Sequence, residues 1–256
     1  MEFGVIGGTG FYSLGEDRGE STEVATPYGA VEVSRVKMGE VEVAFVARHG
    51  RGHTVPPHRV NYRGNIWALR EMGVTNILTS AAVGSMSEGM PPGSLALVDQ
   101  FLDFTRGRPG TFFDGETTEG VVHVDLTEPY CPHLRKELRA AAEGLGERLA
   151  PTGTYVCAEG PRFETPAEIR MFKQLGGELV GMTSVPEVVL AREAGICYAT
   201  VAVVTNWAAG VSGELVEHEG VSDFMGQQTP RVRAMFERVV EQHVDGDCVC
   251  RAFRAG

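Results

Sequence analysis

The chain reads as an α/β fold: one domain in which a mixed, mainly parallel central sheet is flanked by helices on both faces. Short apolar runs rich in β-branched residues recur along it, segments of helical period separate several of them, and no Pro/Gly/Ser-rich stretch or charge block marks a linker. With 256 residues and 43% apolar content it can bury a large core and sits near the upper end of a single α/β domain.

Strands are expected at residues 3–6, 31–36, 41–47, 76–79, 95–98, 154–157, 178–180 and 197–204, each a short Val/Ile/Leu-rich run. The first helix, 61–72, puts Ile66, Leu69 and Met72 near one face and stops at Gly73. Helices at 133–149 and 165–175 interleave charged and apolar residues at three and four. At 186–193 a proline takes the first helical position, Glu187 follows in the first turn and Gly195 closes the end. A C-terminal helix spans 222–244, which Pro230 should break or kink. The whole of 1–256 is read as one domain, with about 245–256 as a flexible tail.

A net charge of -11 argues against nucleic acid or an anionic membrane as partner, because both attract basic surfaces. The N-terminus lacks a basic n-region and no run approaches the roughly 18 apolar residues that span a bilayer, so a cytoplasmic protein is expected. Cys131, Cys157 and Cys197 stand apart in sequence and read as buried inert thiols. Cys248 and Cys250 form a C-x-C pair, tighter than the usual C-x₂-C zinc spacing and without a second pair nearby in sequence. Two reduced thiols on a frayed terminus is the plain reading, a surface disulfide the other.

In a parallel sheet, ligands sit beyond the carboxyl ends of the strands. Four such ends suit one anion. Gly7-Gly8-Thr9-Gly10 can close backbone N–H groups on it and fits neither the dinucleotide nor the P-loop spacing. Arg48-His49-Gly50 brings a planar cation, the small run Thr79 to Ser85 lets a ligand lie against the backbone, and Gly181-Met182-Thr183-Ser184 offers hydroxyls before a helix N-terminus. Each alone has a plainer reading: a tight turn, a surface ion pair, small-residue packing, an N-cap. Two further loops suit a heterocycle. Phe163-Glu164-Thr165 sets an aromatic face beside a carboxylate, and Asn206 can donate and accept at one ring edge. Capping would explain Glu164 and a turn would explain Asn206.

These motifs, with Val60-Asn61-Tyr62, Asn65-Ile66-Trp67-Ala68-Leu69, Glu159-Gly160-Pro161-Arg162-Phe163 and Gly181-Met182-Thr183-Ser184-Val185-Pro186-Glu187, resemble the trimeric purine nucleoside phosphorylases, in the branch containing methylthioadenosine phosphorylase. The resemblance runs from about residue 3 to about residue 240. It implies the nucleoside phosphorylase type of fold, a homotrimer or dimer of trimers, and a pentosyltransferase of purine salvage that binds phosphate and needs no metal or other cofactor. The implied phosphate site is Thr9, Arg48, His49, Ala81, Ala82 and Thr183, although the position of Ala81 often carries a hydroxyl in methylthioadenosine enzymes. Met182 would lie under the ribose and Phe163 against the base.

Substrate choice separates the chain from that branch. Methylthioadenosine phosphorylases carry Asp-x-Asp where this sequence has Asn206-Trp207-Ala208, whereas 6-oxopurine phosphorylases resemble it there and at Glu164. Hypoxanthine and guanine bear an N1–H that a carboxylate can accept, while adenine N1 is itself an acceptor. In His218-Glu219 the histidine resembles the one that bonds the ribose 5′-hydroxyl in 6-oxopurine enzymes; a solvated surface histidine is the other reading. The expected reaction is phosphorolysis of inosine or guanosine, with phosphate attacking C1′ and Asn206, Glu164 and His49 as catalytic groups. S-methyl-5′-thioinosine or S-methyl-5′-thioadenosine phosphorolysis is the nearest alternative. An NAD-dependent oxidoreductase and a non-catalytic purine-binding protein are more distant ones.

Overall fold

Small and β-branched residues from Asn76 to Ser85 build the strand on which the sheet is assembled. In the computed structural model the described residues are 1–8, 10–11, 20–50, 52–115, 120–213, 215–244, 246 and 248–252, the side chains at 218 and 219 excepted. The order is β1 (Phe3–Gly7), β2 (Ser21–Val24), β3 (Val31–Met38), β4 (Val41–Ala47), α1 (Tyr62–Glu71), β5 (Asn76–Ser85), β6 (Leu95–Leu97), β7 (Gln100–Phe104) and α2 (Pro132–Leu145). It continues with β8 (Leu149–Ala150), β9 (Thr154–Ala158), α3 (Pro166–Gln174), β10 (Leu179–Gly181), α4 (Ser184–Glu193), β11 (Cys197–Trp207) and α5 (His218–Gln242).

Among the described residues eleven strands form one mixed sheet, ordered β2-β3-β4-β1-β5-β10-β9-β7, with β11 pairing β5 and β6, and β6 pairing β8. β5 forks the sheet. Its first half pairs β1 in parallel, its last two residues pair β10 antiparallel, and β11 runs parallel beside its whole length. Strand alternation then divides the core between two faces. Val5, Val43, Phe45, Ala199, Val201 and Val203 pack with α2 and α5, and Ile6, Ala44, Val46, Tyr198, Ala202 and Val204 pack with α1 and α4. That matches the expected helix-covered, mainly parallel sheet.

The differences have local causes. β2 was not expected because Ser-Thr-Glu-Val is mostly exposed and carries no apolar pattern. β7 and the two-residue β8 were missed as well, and β8 lies where the second helix was expected to end. That helix stops at Leu145 because Gly146 adopts a left-handed φ of 70° and caps it. β5 extends to Ser85 because its small residues find hydrogen-bonding partners on both sides. Pro230 does not break α5. Gly226, whose carbonyl the proline cannot satisfy, is exposed like Pro230 itself, so water can serve it. The segment 248–252 is not frayed either: Cys250 is 1% exposed and packs with Cys131 and Cys197.

Candidate active site

The carboxyl ends of β1, β4, β5, β10 and β11, with the loop after β9, surround a cavity of about 450 Å³. Arg48 follows β4 directly, and its backbone N–H donates to the Gly7 carbonyl at 2.9 Å, tying the two loops together. Its side chain is buried against Glu187 of α4. Nε donates to Oε2 at 2.8 Å and Nη2 donates to Oε1 at 2.7 Å. Nη2 also donates to Thr79 Oγ1 and Nη1 to the Ser80 carbonyl, both at 3.1 Å. Four of the five guanidinium N–H groups are therefore committed among the described residues, leaving one on Nη1. Nη1 borders the Gly8 loop so closely that a Cβ on Gly8 would come within 2.8 Å of it. Burial alone would lower the Arg48 pKa, but the Glu187 carboxylate outweighs it and holds the guanidinium charged.

Glu187 also accepts a hydrogen bond from Tyr198 Oη at 2.7 Å, so its position is fixed from two sides. An arginine so neutralised offers an anion direction more than net charge. The remaining attraction must come from dipoles: backbone N–H groups at Gly8 and at the start of α4, and the His49 ring. His49 is buried, bonds the Val55 carbonyl through Nδ1 at 2.8 Å and stacks on His53 at 4.4 Å. Since a carbonyl only accepts, Nδ1 carries the hydrogen, so Nε2 is an acceptor in the neutral ring and donates to an anion only when the ring is protonated. Thr183 precedes α4 without capping it through its side chain, and its N–H donates to Tyr155 Oη at 3.2 Å. Ser80 Oγ, also at the cavity wall, is buried and has no partner among the described residues.

At the other end, Glu164 Oε1 is buried and unpartnered among the described residues, a costly state for a carboxylate oxygen unless a ligand donates to it. Burial raises the Glu164 pKa, with its own backbone N–H and Arg162 pulling it back in part. Across the same cavity, Asn206 accepts from Thr205 Oγ1 at 2.7 Å and donates through Nδ2 to the Trp207 carbonyl at 2.8 Å. These bonds fix which side-chain atom is oxygen and which nitrogen, and among the described residues each keeps one unused position for a ring edge. Gly84 makes room for this amide: a Cβ there would lie 3.3 Å from Asn206 Nδ2.

Ten sequence-predicted residues line the one cavity: Arg48, His49, Ala81, Ala82, Phe163, Glu164, Met182, Thr183, Asn206 and Ala208. Trp207 does not. It is the last residue of β11, next to Asn206, and strand alternation turns it to the opposite side. Thr9 and the His218 side chain lie outside the described residues. Sequence reasoning missed His53, Thr54, Val216 and Val221 in the wall, and it read Glu187 only as a first-turn acid. Arg108 was missed too. Its buried guanidinium joins the loop after β9 to the loop after β10, donating to the carbonyls of Glu159, Met182 and Val185 at 2.6, 2.9 and 2.8 Å and to Glu159 Oε2 at 3.0 Å. Its signal, an arginine in a Gly/Pro-rich loop, is indistinguishable in sequence from a surface cation.

A model of the phosphorylase superfamily matches residues 2–241. The chain is 52% identical over 229 residues to a 6-oxopurine nucleoside phosphorylase of Pyrococcus furiosus, covering 88% of this chain and 86% of the relative. It is 50% identical over 241 residues to a probable S-methyl-5′-thioinosine phosphorylase of Methanopyrus kandleri, covering 94% and 92%. Among solved structures it superimposes on the methylthioadenosine phosphorylase of Schistosoma mansoni in complex with adenine with a TM-score of 0.88 at 34% identity, covering 94% of this chain and 91% of that one.

Proposed function

The chain belongs to the phosphorylase superfamily, and from that premise we propose that it is a purine nucleoside phosphorylase, converting a 6-oxopurine nucleoside and inorganic phosphate into free base and ribose 1-phosphate. The observation that carries this reading is the buried Glu164 Oε1, unpartnered among the described residues and in the same cavity as Asn206 and Arg48. A 6-oxopurine presents N1–H to that oxygen. Adenine would present a lone pair and leave both acceptors unsatisfied.

Arg48 Nη1, His49, Thr183 and the backbone at Gly8 hold phosphate, with Ala81 and Ala82 close against it. Met182 supports the ribose, and Phe163 and Ala208 flank the base. Phosphate oxygen attacks C1′ as the glycosidic bond lengthens, the electron pair of that bond leaves on the purine, and the proton that hydrogen phosphate gives up on becoming the ester balances the one the departing base takes up. Asn206 stabilises the negative charge developing at N7, and Glu164 holds the ring through N1–H. Catalysis is positioning and charge placement, with no covalent enzyme intermediate and no cofactor beyond the co-substrate phosphate. The enzyme serves purine salvage in the cytoplasm as a homotrimer or a dimer of trimers, from one domain spanning 1–256; among the described residues no helix is long and apolar enough to cross a membrane.

A second reading shares the base and differs at the 5′ end. Val216 and Val221, beside the start of α5, contribute apolar side chains to the cavity wall, which suits a 5′-methylthio group as in S-methyl-5′-thioinosine. The test is one assay: phosphate with inosine, guanosine, adenosine, S-methyl-5′-thioinosine or S-methyl-5′-thioadenosine, following released base. Release from inosine or guanosine supports the first reading. Preference for S-methyl-5′-thioinosine supports the second, and preference for the adenine nucleosides refutes the role of Glu164.

A further inference from the structure

Away from the catalytic cavity the fold gathers four thiols that sequence separates. Cys131 precedes α2, Cys197 opens β11, and Cys248 and Cys250 belong to the C-terminal 3-10 turn that includes Val249–Arg251. The sulfurs of all four lie within 4.8 Å of one another, with Cys131 and Cys248 at 3.5 Å. Backbone bonds set this meeting place independently of the sulfurs: Cys131 N–H donates to the Tyr198 carbonyl at 2.8 Å, Cys197 N–H to the Thr75 carbonyl at 3.0 Å, and Arg251 N–H to the Cys248 carbonyl at 3.0 Å.

We propose that Cys131, Cys197, Cys248 and Cys250 form a structural site for one zinc ion, which fastens the C-terminal segment to the junction of α2 and β11.

Four thiolates are the donor set of a closed zinc site. At a zinc–sulfur distance of about 2.3 Å a tetrahedron places its sulfurs about 3.8 Å apart, within the spread observed here. An all-sulfur set selects a thiophilic cation and disfavours magnesium or calcium, which need oxygen. Cys131, Cys197 and Cys250 are buried while Cys248 is half-buried, giving an enclosed site with an entry side. The double negative charge of a four-thiolate zinc centre also has compensation at hand. Leu134 N–H donates to Cys131 Sγ at 3.5 Å, the N-terminus of α2 points at the same sulfur, and Arg192 lies within electrostatic reach of Cys250. The C-x-C spacing suffices because the second pair of ligands comes from elsewhere in the chain.

The site is remote from catalysis. Cys197 begins β11 and Asn206 stands near its other end, nine residues on, or about 30 Å at about 3.3 Å per residue. Bound zinc therefore stabilises the fold without touching the reaction.

The test uses the full, tag-free chain purified anaerobically without chelator. Elemental analysis should find zinc stoichiometric with the chain, and replacing it with cobalt should give the visible bands of a tetrahedral thiolate site. Cys248→Ser and Cys250→Ser, made singly, should each weaken zinc binding by about tenfold or more and lower Tm by several degrees, leaving the rate of base release within about twofold of the parent. Cys248→Ser alters the most accessible ligand and keeps the test open should Cys250→Ser fold poorly. Zinc far below stoichiometry with no tetrahedral cobalt spectrum overturns the proposal. So does an intact mass lacking four hydrogens in the anaerobic protein, which would show two disulfides in place of a metal.

Discussion

Arg48 and Glu187 form a two-point ion pair at 2.8 and 2.7 Å, with side chains only 1% and 0% exposed. Such a pair fixes direction, since every committed N–H of the arginine leaves the remaining one less freedom. Glu187→Ala should cost about 3–5 kcal/mol, because it strands a buried guanidinium. Glu187→Gln, keeping one acceptor, should cost less and raise KM for phosphate more than KM for nucleoside. Urea unfolding and two-substrate kinetics read these effects; unchanged stability in the alanine variant would contradict the assigned pairing.

Gly8 supports a separate prediction about the same anion. A Cβ there meets Arg48 Nη1 at 2.8 Å, so Gly8→Ala should displace the N–H that is uncommitted among the described residues while leaving the buried ion pair intact. KM for phosphate should rise about tenfold, the equivalent of about 1.4 kcal/mol, with little change in Tm. Equal losses for both substrates would place Gly8 in the fold and not in the anion cradle.

Arg108 holds three carbonyls of two loops that shape the ribose and base ends of the cavity. Lysine cannot reproduce a planar fork with five donors. Arg108→Lys should therefore lower kcat about tenfold or more while shifting KM little, as expected when loop geometry loosens by a fraction of an ångström. Full activity in the lysine variant would show that charge alone matters at this position.

Burial raises the Glu164 carboxyl above its ordinary range, and the sign of the consequence follows. The folded group binds its proton more tightly than the unfolded one, so the native state loses stability as pH rises from the unfolded carboxylate range, about 4.3, through the elevated folded value. Glu164→Gln should remove that decline. Activity runs the other way: the ionised oxygen accepts the purine N–H, so kcat/KM should rise over the same window in the parent enzyme and lose that limb in the variant. Unfolding free energies and pH–rate profiles of the two proteins test both signs.

The sheet was legible because its strands are apolar on both faces. Val201, Val203 and Val204 announce a buried strand without any tertiary information. β2 was not legible, being a polar strand whose partner is chosen by the fold. Strand-end reasoning brought Arg48, Glu164 and Asn206 to one cavity, since an α/β sheet collects the loops at its carboxyl edge. Trp207 falls outside the cavity wall because alternation at the end of β11 turns it away from the side that Asn206 faces, whereas reading the loop as a unit placed both together. Glu187 and Arg108 act through distant partners, 139 residues from Glu187 to Arg48 and 74 from Arg108 to Met182. The four cysteines escaped for the same reason, their grouping depending on where α2, β11 and the C-terminal segment meet.

Asn206 supplies the sharpest test of base selection. In Asn206→Asp, Oδ1 can still accept from Thr205 Oγ1, but the second carboxylate oxygen replaces Nδ2 and faces the Trp207 carbonyl that Nδ2 now serves. Two acceptors repel, so the side chain should rotate toward the cavity and seek a donor there. Adenine offers its 6-amino group; a 6-oxopurine offers only another acceptor at that position. The ratio of kcat/KM for adenosine over inosine should therefore rise about a hundredfold, mostly through loss on inosine, since Glu164 still disfavours adenine N1. Asn206→Asp combined with Glu164→Gln should recover part of the absolute rate on adenosine. If neither variant moved the ratio, the ring edge would be read by other residues and Asn206 would be confined to its bonds with Thr205 and Trp207.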